Sequence, residues 1–318
     1  MYYLEGRTQD EIARRLRLSR AKVSRLLYAA REAGMVRIFV RPPSGTFLSL
    51  ETELETRFGL REVRIVPASC DEPVEAVRRI GAAAAADLVR SAKSGQTVGL
   101  VGLELLASMV DAATLKVAVG VRVVQAVGWE HNSSSQRTLA DLVLDLARRI
   151  EGRPVVLPAP SVVASEHARR SLEVDPQISE VLHTLDDLDT LYTEIAAAAS
   201  GPDRTADAPV PAGSIALRHF DCRGQMLGPA ADGHVVGLTI EQLKRARHVV
   251  ALAHEPAQPH VVAAALRTRF VDTLITDELT ARAIAALPTS RAEAFAIAGA
   301  RMKMNHRLMS GENHDDDA

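Results

Sequence analysis

Hydrophobic residues at the start of the chain recur at the spacing of an amphipathic helix. Ile12, Ala13 and Leu16 fall on one helical face. Thr8 is placed to cap that helix, and Glu11, three residues later, would complete a capping box. Ala13 is small enough for a second helix to cross closely over the first. The pattern predicts a short capped helix with a closely packed neighbour.

A second apolar block follows after a short polar corner. Leu18 is expected to fill the corner, and Ser19 to cap the second helix. Val23, Leu26 and Leu27 then return to the same small core. Two short helices joined by a tight corner form a helix-turn-helix, the arrangement that places its second helix in the major groove of DNA. An ordinary helical hairpin with a solvated basic face is the alternative.

Arg17 stands at the corner, where a left-handed residue costs on the order of 1 kcal/mol unless it is Gly. The exposed side chains of the second helix are hydrogen-bond donors suited to phosphates and guanine edges. Arg20 and Arg25 are the candidates for base contacts, and Arg14, Arg15 and Lys22 for phosphate contacts. The predicted DNA-binding residues are Thr8, Gln9, Arg14, Arg15, Ser19, Arg20, Ala21, Lys22, Ser24, Arg25 and Tyr28.

Charge is distributed unevenly along the chain. Residues 1–41 contain ten Lys and Arg against four acidic residues, a net charge of +6, whereas the whole chain carries −2. A basic segment on an acidic body is typical of a polyanion-binding module attached to another domain. Aromatic residues are only 3% of the chain, which argues against stacking on single-stranded bases and favours duplex DNA.

After the Pro42–Gly45 linker and an amphipathic helix, short apolar strands alternate with helices. This alternation predicts an α/β domain with a mostly parallel, Rossmann-like sheet that binds ligands at the carboxyl ends of its strands. The predicted strands are 36–40 (a possible wing of the head), 63–66, 97–101, 121–127, 154–157, 248–253 and 273–276. The predicted helices are 48–58, 73–91, 103–112, 135–150 and 261–269.

The remaining composition narrows the class of protein. Cys70 and Cys222 lack metal-ligand spacing, so neither a zinc site nor a disulfide is expected, and no cofactor is indicated. No apolar run approaches the ~18 residues of a membrane span, and no signal layout is present. The expected location is therefore the cytoplasm, without membrane association.

Taken together, these segments resemble the SorC family of bacterial transcriptional regulators. The resemblance extends over almost the full length and keeps the family's order. Its residues in the head are Tyr2-Tyr3, Gly6, Thr8-Gln9, Glu11-Ile12-Ala13, Ser19-Arg20, Val23-Ser24-Arg25-Leu26-Leu27, Ala30-Arg31-Glu32, Gly34 and Val36. Its residues in the body are Val124-Gln125 before Gly128, Leu157-Pro158-Ala159-Pro160, Phe220-Asp221 with Gly224, and Leu274-Ile275-Thr276-Asp277-Glu278 with Thr280-Ala281.

The resemblance implies a helix-turn-helix joined to an effector domain with the fold of sugar-phosphate isomerases and deaminases. It implies a double-stranded DNA operator, a sugar or sugar-phosphate effector, and a homodimer or homotetramer. The expected domains are a head over 1–41, a linker with its helix over 42–60, an effector domain over 61–309, and an acidic tail over 310–318. In the family a further helix precedes the Tyr2-Tyr3 position, so a chain starting at Met1 is expected to have a weakened head.

Four loops depart from the family pattern. The family's small-residue phosphate loop keeps Gly102 here but continues with Leu103 and Glu104. A carboxylate in the first helical turn is stabilised by the helix dipole, so Glu104 is expected to occupy the phosphate position and repel phosphate. Replacing Glu104 with Ser or Thr, together with Leu103→Gly, should therefore improve sugar-phosphate binding.

The other departures are Gly128-Trp129 for paired glycines, Glu194-Ile195-Ala196 for a Gly-x-Gly turn, and Gln258 for a lysine, with His254-Glu255 for two glycines. They leave three interpretations open: an altered or non-phosphorylated ligand, a sugar phosphate held differently, or no ligand. The candidate effector-binding residues are Gly102, Leu103, Glu104, Gly128, Trp129, Arg218, Gln258, Asp277 and Glu278.

Several candidates admit two interpretations. Trp129 either stacks on a sugar face or fills the core. Asp277 and Glu278 either receive sugar hydroxyls or cap a helix. The His131–Ser135 segment is better explained as a polar loop than as part of a catalytic triad, and the acidic run at 186–189 as a solvated turn than as a cation site. We expect a regulator rather than an enzyme; a sugar-phosphate isomerase or deaminase fused to a helix-turn-helix is the alternative.

Overall fold

The structure is a computed structural model in which residues 8–32, 47–68, 73–113, 120–129, 137–198, 211–228, 232–254 and 258–288 are described. The chain divides into two compact units, Met1–Thr46 and Phe47–Ala318. We call them the head and the sheet domain and describe each by itself. The predicted wing at 36–40, the Pro42–Gly45 linker and the acidic tail lie outside the described residues.

The head contains the two predicted helices, α1 (Gln9–Leu16) and α2 (Arg20–Glu32). The Thr8 hydroxyl accepts the backbone N–H of Glu11 at 3.3 Å, and the Glu11 carboxylate accepts that of Thr8 at 2.9 Å. Both halves of the capping box are therefore present. The Ser19 hydroxyl accepts the N–H of Lys22 at 3.2 Å, so each helix begins where the sequence predicts.

The corner and core of the head match the expected pattern in part. Arg17 adopts φ 52° and ψ 41°, the left-handed conformation predicted for the corner. Ile12, Ala13 and Val23 are buried, with Leu18 and Leu27 packed beside them. Leu16 and Leu26, by contrast, are 48% and 54% exposed, so the prediction that they join this core is wrong. Within residues 8–32, the interface between the two short helices is therefore filled by these five side chains, and Leu16 and Leu26 lie outside it.

The sheet domain alternates strands and helices along most of its length. Its strands are β1 (Glu62–Val66), β2 (Thr97–Val101), β3 (Arg122–Gln125), β4 (Arg153–Val155), β5 (Thr190–Ala197), β6 (Gly213–Ile215), β7 (Arg218–Phe220), β8 (His248–Ala253) and β9 (Thr273–Asp277). Its helices are α3 (Leu48–Phe58), α4 (Pro73–Ser91), α5 (Glu104–Ala112), α6 (Leu139–Arg149), α7 (Glu166–Glu173), α8 (Pro176–Thr184), α9 (Ile240–Arg245), α10 (Pro259–Arg267) and α11 (Glu278–Ala285).

Seven strands form a parallel sheet in the order β1-β9-β8-β5-β2-β3-β4, and the hairpin β6–β7 extends it antiparallel to the end of β5. Every residue of β2 and of β9 is buried. Burial on both faces requires helices on both sides of the sheet, as expected for an α/β domain. After β2, the chain adds β3 and β4 on one side of that strand and then places β5 on its other side. The strand order therefore reverses between β2 and β5, which is a topological switch point.

The amphipathic helix α3 belongs to the sheet domain. Leu54 and Phe58 are buried in its core, and Gly59, with φ 67°, ends the helix. The Arg57 guanidinium donates to the carbonyl oxygens of Ile284 (3.2 Å), Ala285 (3.0 Å) and Leu287 (2.7 Å) at the end of α11. The segment predicted as a linker with its helix therefore ends in a helix that packs on the sheet domain.

The helix expected over 135–150 begins later than the sequence indicates. The described helix α6 starts at Leu139, and Thr138 caps it by accepting the N–H of Asp141 at 3.2 Å. The Asp141 carboxylate in turn accepts the backbone N–H of Thr138 at 2.8 Å. This capping box fixes the start of α6, and the three preceding serines at 133–135 lie outside the described residues.

Candidate functional site

A cavity of about 200 Å³ opens at the carboxyl ends of β2, β3 and β5, beside the switch point. Its size is below the roughly 300–1,000 Å³ of pockets for drug-sized molecules, so it suits a small ligand. Its lining residues are Val101, Gly102, Leu103, Val127, Gly128, Thr138, Leu139, Glu194, Ala196, Ser214, Ala216 and Leu217.

A carboxylate from β5 lies against the first turn of α5. The backbone N–H of Leu106 donates to the Glu194 carboxylate at 3.0 Å, and the N–H groups of Leu105 and Glu104 also stabilise its ionised form. The first N–H groups of a helix have no partner within the helix and carry partial positive charge, so they favour an anion. In this chain Glu194 supplies that anion.

Two opposing influences act on Glu194. Its burial in the cavity wall raises the pKa of the carboxyl to about 7, although the three backbone N–H groups favour ionisation and lower it. The neighbouring Glu104 carboxylate raises the pKa further, because two negative charges repel. Glu194 is therefore a group whose charge changes near neutral pH.

Gly102 makes room for this carboxylate. It has φ +132°, and a Cβ built there would lie only 2.6 Å from Cγ and Cδ of Glu194. Any side chain at position 102 would push Glu194 away from the helix. The glycine that the sequence analysis assigns to a phosphate loop therefore serves here for the close approach of a protein carboxylate.

Another part of the cavity wall is a strained turn. Ala216 and Leu217 connect β6 to β7 with φ values of 51° and 59°, both in the left-handed region. Two-residue hairpin turns of this kind strongly prefer Asn and Gly, since other residues cost roughly 1–2 kcal/mol each. The Ala216 N–H donates to the Thr193 hydroxyl at 3.2 Å, which holds the turn against β5. Strain of this kind is typical of ligand sites.

Of the predicted effector-binding residues, the structure brings Gly102, Leu103 and Gly128 together in the cavity wall. Glu104 is exposed at the start of α5 and is not among the lining residues. The expectation that Glu104 fills the phosphate position is therefore corrected, because the carboxylate that accepts the helix N–H groups belongs to Glu194. Gly128 packs against the chain at Pro160, where a Cβ would lie 2.3 Å from a backbone carbon.

Trp129 and Arg218 directly follow the lining residues Gly128 and Leu217 in the sequence, but they are not part of the cavity lining themselves. Trp129 is 43% exposed, so the core-filling interpretation is wrong, while stacking on a sugar stays a prediction. Arg218 is buried and donates to the carbonyl oxygens of Leu238 (2.7 Å), Asp232 (3.2 Å) and Gly237 (3.3 Å). These bonds tie the β6–β7 hairpin to the segment before α9, which gives Arg218 a structural role in place of the predicted ligand contact.

Gln258, Asp277 and Glu278 also lie outside the cavity lining. Gln258 precedes α10 and makes no side-chain cap. Asp277 is buried and caps α11 by accepting the N–H of Thr280 at 3.0 Å, so of its two predicted roles the geometry shows the cap. It also accepts from His254 at 2.9 Å, and bonds to Thr280 and His254 keep the pKa of the Asp277 carboxyl below its ordinary value despite burial.

The other acidic and reactive candidates take structural roles or fall outside the description. Asp186 accepts from the Gln242 amide at 3.0 Å, and Asp189 accepts the N–H of Thr97 at 2.9 Å. Within the described segments, no group of three or more His, Cys, Asp or Glu side chains is placed to hold a metal ion. The segment 130–136, with His131, lies outside the described residues, as does Cys70; Cys222 is an exposed free thiol.

The sequence analysis did not identify Glu194, Thr138 or Ser214 as lining residues. For Glu194 a signal was present, since the resemblance predicts a Gly-x-Gly turn at the end of this strand, but a strand pattern does not show that the side chain reaches helix α5. Thr138 and Ser214 contribute hydroxyls to the wall. The β6–β7 hairpin has no turn signal, because Ala-Leu is not a hairpin dipeptide.

The head presents a second candidate site. Arg14, Arg15, Arg20, Lys22 and Arg25 are all exposed, as are Thr8, Ser19, Ala21 and Ser24, whereas Gln9 is half-buried. Tyr28 lies on α2, and nothing is described of its side chain. Arg20 approaches Asp10 at 3.7 Å. Exposed pairs of this kind are worth little, so Arg20 is available to an anionic partner.

None of the helices in the described part of the chain combines the length and the apolar character that a membrane crossing requires.

Comparisons with known proteins identify the family of the sheet domain. The family described as "Putative sugar-binding domain" matches residues 43–286, most of the chain. The transcriptional regulator LsrR of Enterobacter sp. (strain 638) is 28% identical over 304 residues, 90% of each chain. The deoxyribonucleoside regulator of Bacillus subtilis (strain 168) is 25% identical over 295 residues, 89% of this chain and 94% of that one. The full-length sorbitol operon regulator SorC of Klebsiella pneumoniae shares the fold, with a TM-score of 0.69, 23% identity, and coverage of 89% of this chain and 95% of that one.

Proposed function

The chain belongs to the SorC family of transcriptional regulators and carries its sugar-binding domain, and from that premise we propose that it releases or engages a DNA operator when a carbohydrate binds the cavity beside β2 and β5. The cavity carries this proposal, because it lies at the switch point where parallel sheets bind ligands. The relatives support the regulatory role, since they are themselves regulators.

The DNA-reading role is assigned to the second helix of the head. Arg20 and Arg25 are exposed on α2 and are proposed to contact base edges. Arg14, Arg15 and Lys22 are proposed to contact phosphates, with Thr8, Gln9, Ser19, Ala21, Ser24 and Tyr28 at the same interface. We propose that the chain acts as a homodimer or homotetramer in the cytoplasm, so that paired heads read two half-sites of one duplex.

The enzyme alternative needs a proton donor and a proton acceptor at a bound substrate. Among the described lining residues, Glu194 is the one carboxyl, and Thr138 and Ser214 supply hydroxyls. This set offers hydrogen-bonding groups to a polyol, but within the described lining it does not form a paired acid and base. Turnover assays on sugar phosphates separate the two functions, since the regulator is expected to show none.

The proposed function is tested by selecting bound fragments from genomic DNA, with and without a panel of sugars, polyols and sugar phosphates. The expected result is a paired-site motif whose occupancy changes with one ligand of the panel. Arg25→Ala is expected to abolish enrichment of that motif, whereas Arg78→Ala, on the surface of the sheet domain, is expected to leave it unchanged. Absence of any enriched motif would contradict the proposal.

A further inference from the structure

The first turn of α5 is the place in this cavity where an anionic ligand group would be stabilised. Its backbone N–H groups point at the carboxyl ends of β2 and β5. In this chain they are already engaged, since Leu106 donates to Glu194 at 3.0 Å. A phosphate arriving from solution would have to displace a carboxylate of the same chain that already accepts these donors.

The geometry around Glu194 shows that the carboxylate is fitted to this place. Gly102, directly after β2, leaves the space that the carboxylate fills, because a Cβ there would lie 2.6 Å from Glu194 Cδ. Glu194 itself comes from β5, which pairs with β2 in register and so brings the two positions together. The contact thus depends on two strands and one helix.

No described residue of the cavity wall carries a positive charge. Glu194 is the one charged side chain among the described lining residues, and the polar remainder consists of the Thr138 and Ser214 hydroxyls. Arg218, the nearest predicted cation, is turned to backbone carbonyls. An anionic ligand would therefore meet the Glu194 carboxyl, which is negatively charged above about pH 7, and no cation among the described lining residues.

We propose that Glu194 takes the place of a ligand phosphate, and that the effector of this cavity is an uncharged polyhydroxy compound, a monosaccharide or polyol without phosphate. The ligand's hydroxyls donate to the Glu194 carboxylate, which has more acceptor positions than the helix end uses. Ser214 lines the same cavity and serves the remaining ligand hydroxyls, whereas the Thr138 hydroxyl is engaged in the capping box of α6. This inference rests on the proposed role of the cavity as the effector site.

The test measures binding by isothermal calorimetry and by the fluorescence of Trp129, the chain's one tryptophan. The probes are inorganic phosphate, a panel of neutral sugars and polyols, and the matching sugar phosphates. The full-length wild-type protein is expected to bind a neutral compound and neither phosphate nor its phosphorylated form. Glu194→Ala is expected to weaken neutral binding about tenfold or more, the loss of a hydrogen bond to a charged group, and to gain phosphate binding at the freed N–H groups.

Glu51→Ala is the matched control, since the Glu51 carboxylate also accepts a backbone N–H, from Ile65 at 2.9 Å, but lies outside the cavity lining. It is expected to change neither affinity. If Glu194→Ala does not fold, Glu194→Ser opens the same space.

Binding of a sugar phosphate by the wild-type protein at least as tightly as its neutral counterpart would overturn the inference and leave the regulator proposal intact. A variant that gains no phosphate binding would overturn it as well, and so would a wild-type protein that binds no neutral compound. Ligand binding without any enriched DNA motif would instead refute the regulator and not this inference.

Discussion

Glu194 is a carboxyl group whose environment changes between the folded and unfolded chain. In the folded protein, burial raises its pKa to about 7, against about 4.5 for an ordinary glutamate. Between these values the folded chain holds a proton that the unfolded chain has released. Folding is therefore favoured by this group below pH 4.5, and the contribution is lost as the pH rises toward 7.

We predict that Glu194→Gln removes this pH dependence. Between pH 5 and pH 8 the free energy of unfolding of the wild-type sheet domain should fall relative to that of the variant by about 1–3 kcal/mol, because one pKa unit corresponds to about 1.4 kcal/mol. Urea unfolding followed by Trp129 fluorescence measures the difference. Parallel pH profiles for the two proteins would contradict the prediction.

Residue-level prediction succeeded where a side chain acts on its own helix and failed where it reaches across the fold. The capping roles of Thr8 and Ser19 and the left-handed Arg17 follow from local chemistry and are confirmed. Glu104 was expected at the phosphate position because it is in the first turn of α5. The carboxylate found there is Glu194, about ninety positions away along the chain, and its side-chain direction depends on the pairing of β5 with β2.

At the scale of elements, the head depends on its helix caps. Within the described residues of the head, the core contains three buried side chains, so hydrophobic burial there contributes little and each cap matters more. The Thr8–Glu11 capping box satisfies N–H groups of α1 that would otherwise lack partners.

We predict that Thr8→Ala lowers the free energy of unfolding of the head by about 1 kcal/mol and that Thr8→Ser largely restores it, because Ser keeps the cap. Circular dichroism during thermal unfolding measures the change, and DNA affinity should follow it. Ser165→Ala, which removes the cap of α7, is the control and should leave DNA affinity unchanged. Equal head stability in wild type and Thr8→Ala would show that the capping box is dispensable.

Element prediction was accurate for long periodic segments and weak for short ones. The strands Thr97–Val101 and His248–Ala253 and the helix Pro73–Ser91 occur as predicted. The hairpin containing Ala216 and Leu217 was missed because its strands have three residues each and its turn lacks Asn and Gly. That hairpin forms one wall of the cavity, so the cavity's shape was not predictable from local patterns.

At the scale of the whole molecule, the two units carry net charges of opposite sign. The first 41 residues carry +6 and the remainder −8. Binding of such a head to DNA releases counterions from the duplex, so affinity should depend steeply on salt. The order of strands in the sheet was not predictable, because alternation of strands and helices is compatible with several orders. The mostly parallel sheet that this alternation predicts is confirmed.

We predict that Lys22→Ala weakens DNA binding and lowers the slope of log affinity against log salt by about 1 for each bound head, since each lost phosphate contact releases about one counterion fewer. Fluorescence anisotropy with a labelled operator at several salt concentrations gives the slope. Arg78→Ala, an exposed change in the sheet domain, should leave it unaltered. An unchanged slope for Lys22→Ala would place that residue away from the phosphates.

The glycine at position 102 and the glutamate at position 194 have a consequence for how this regulator could acquire a new specificity. The glycine codons GGA and GGG differ from the glutamate codons GAA and GAG by a single base, so one base change at position 194 can replace the carboxylate with a glycine. Since Gly102 already leaves the space, one mutation at position 194 exchanges a vacant anion site for an occupied one without rebuilding the sheet. If Glu194 replaces a ligand phosphate, as proposed above, a single base change separates a sensor of a phosphorylated compound from a sensor of its neutral counterpart on this fold.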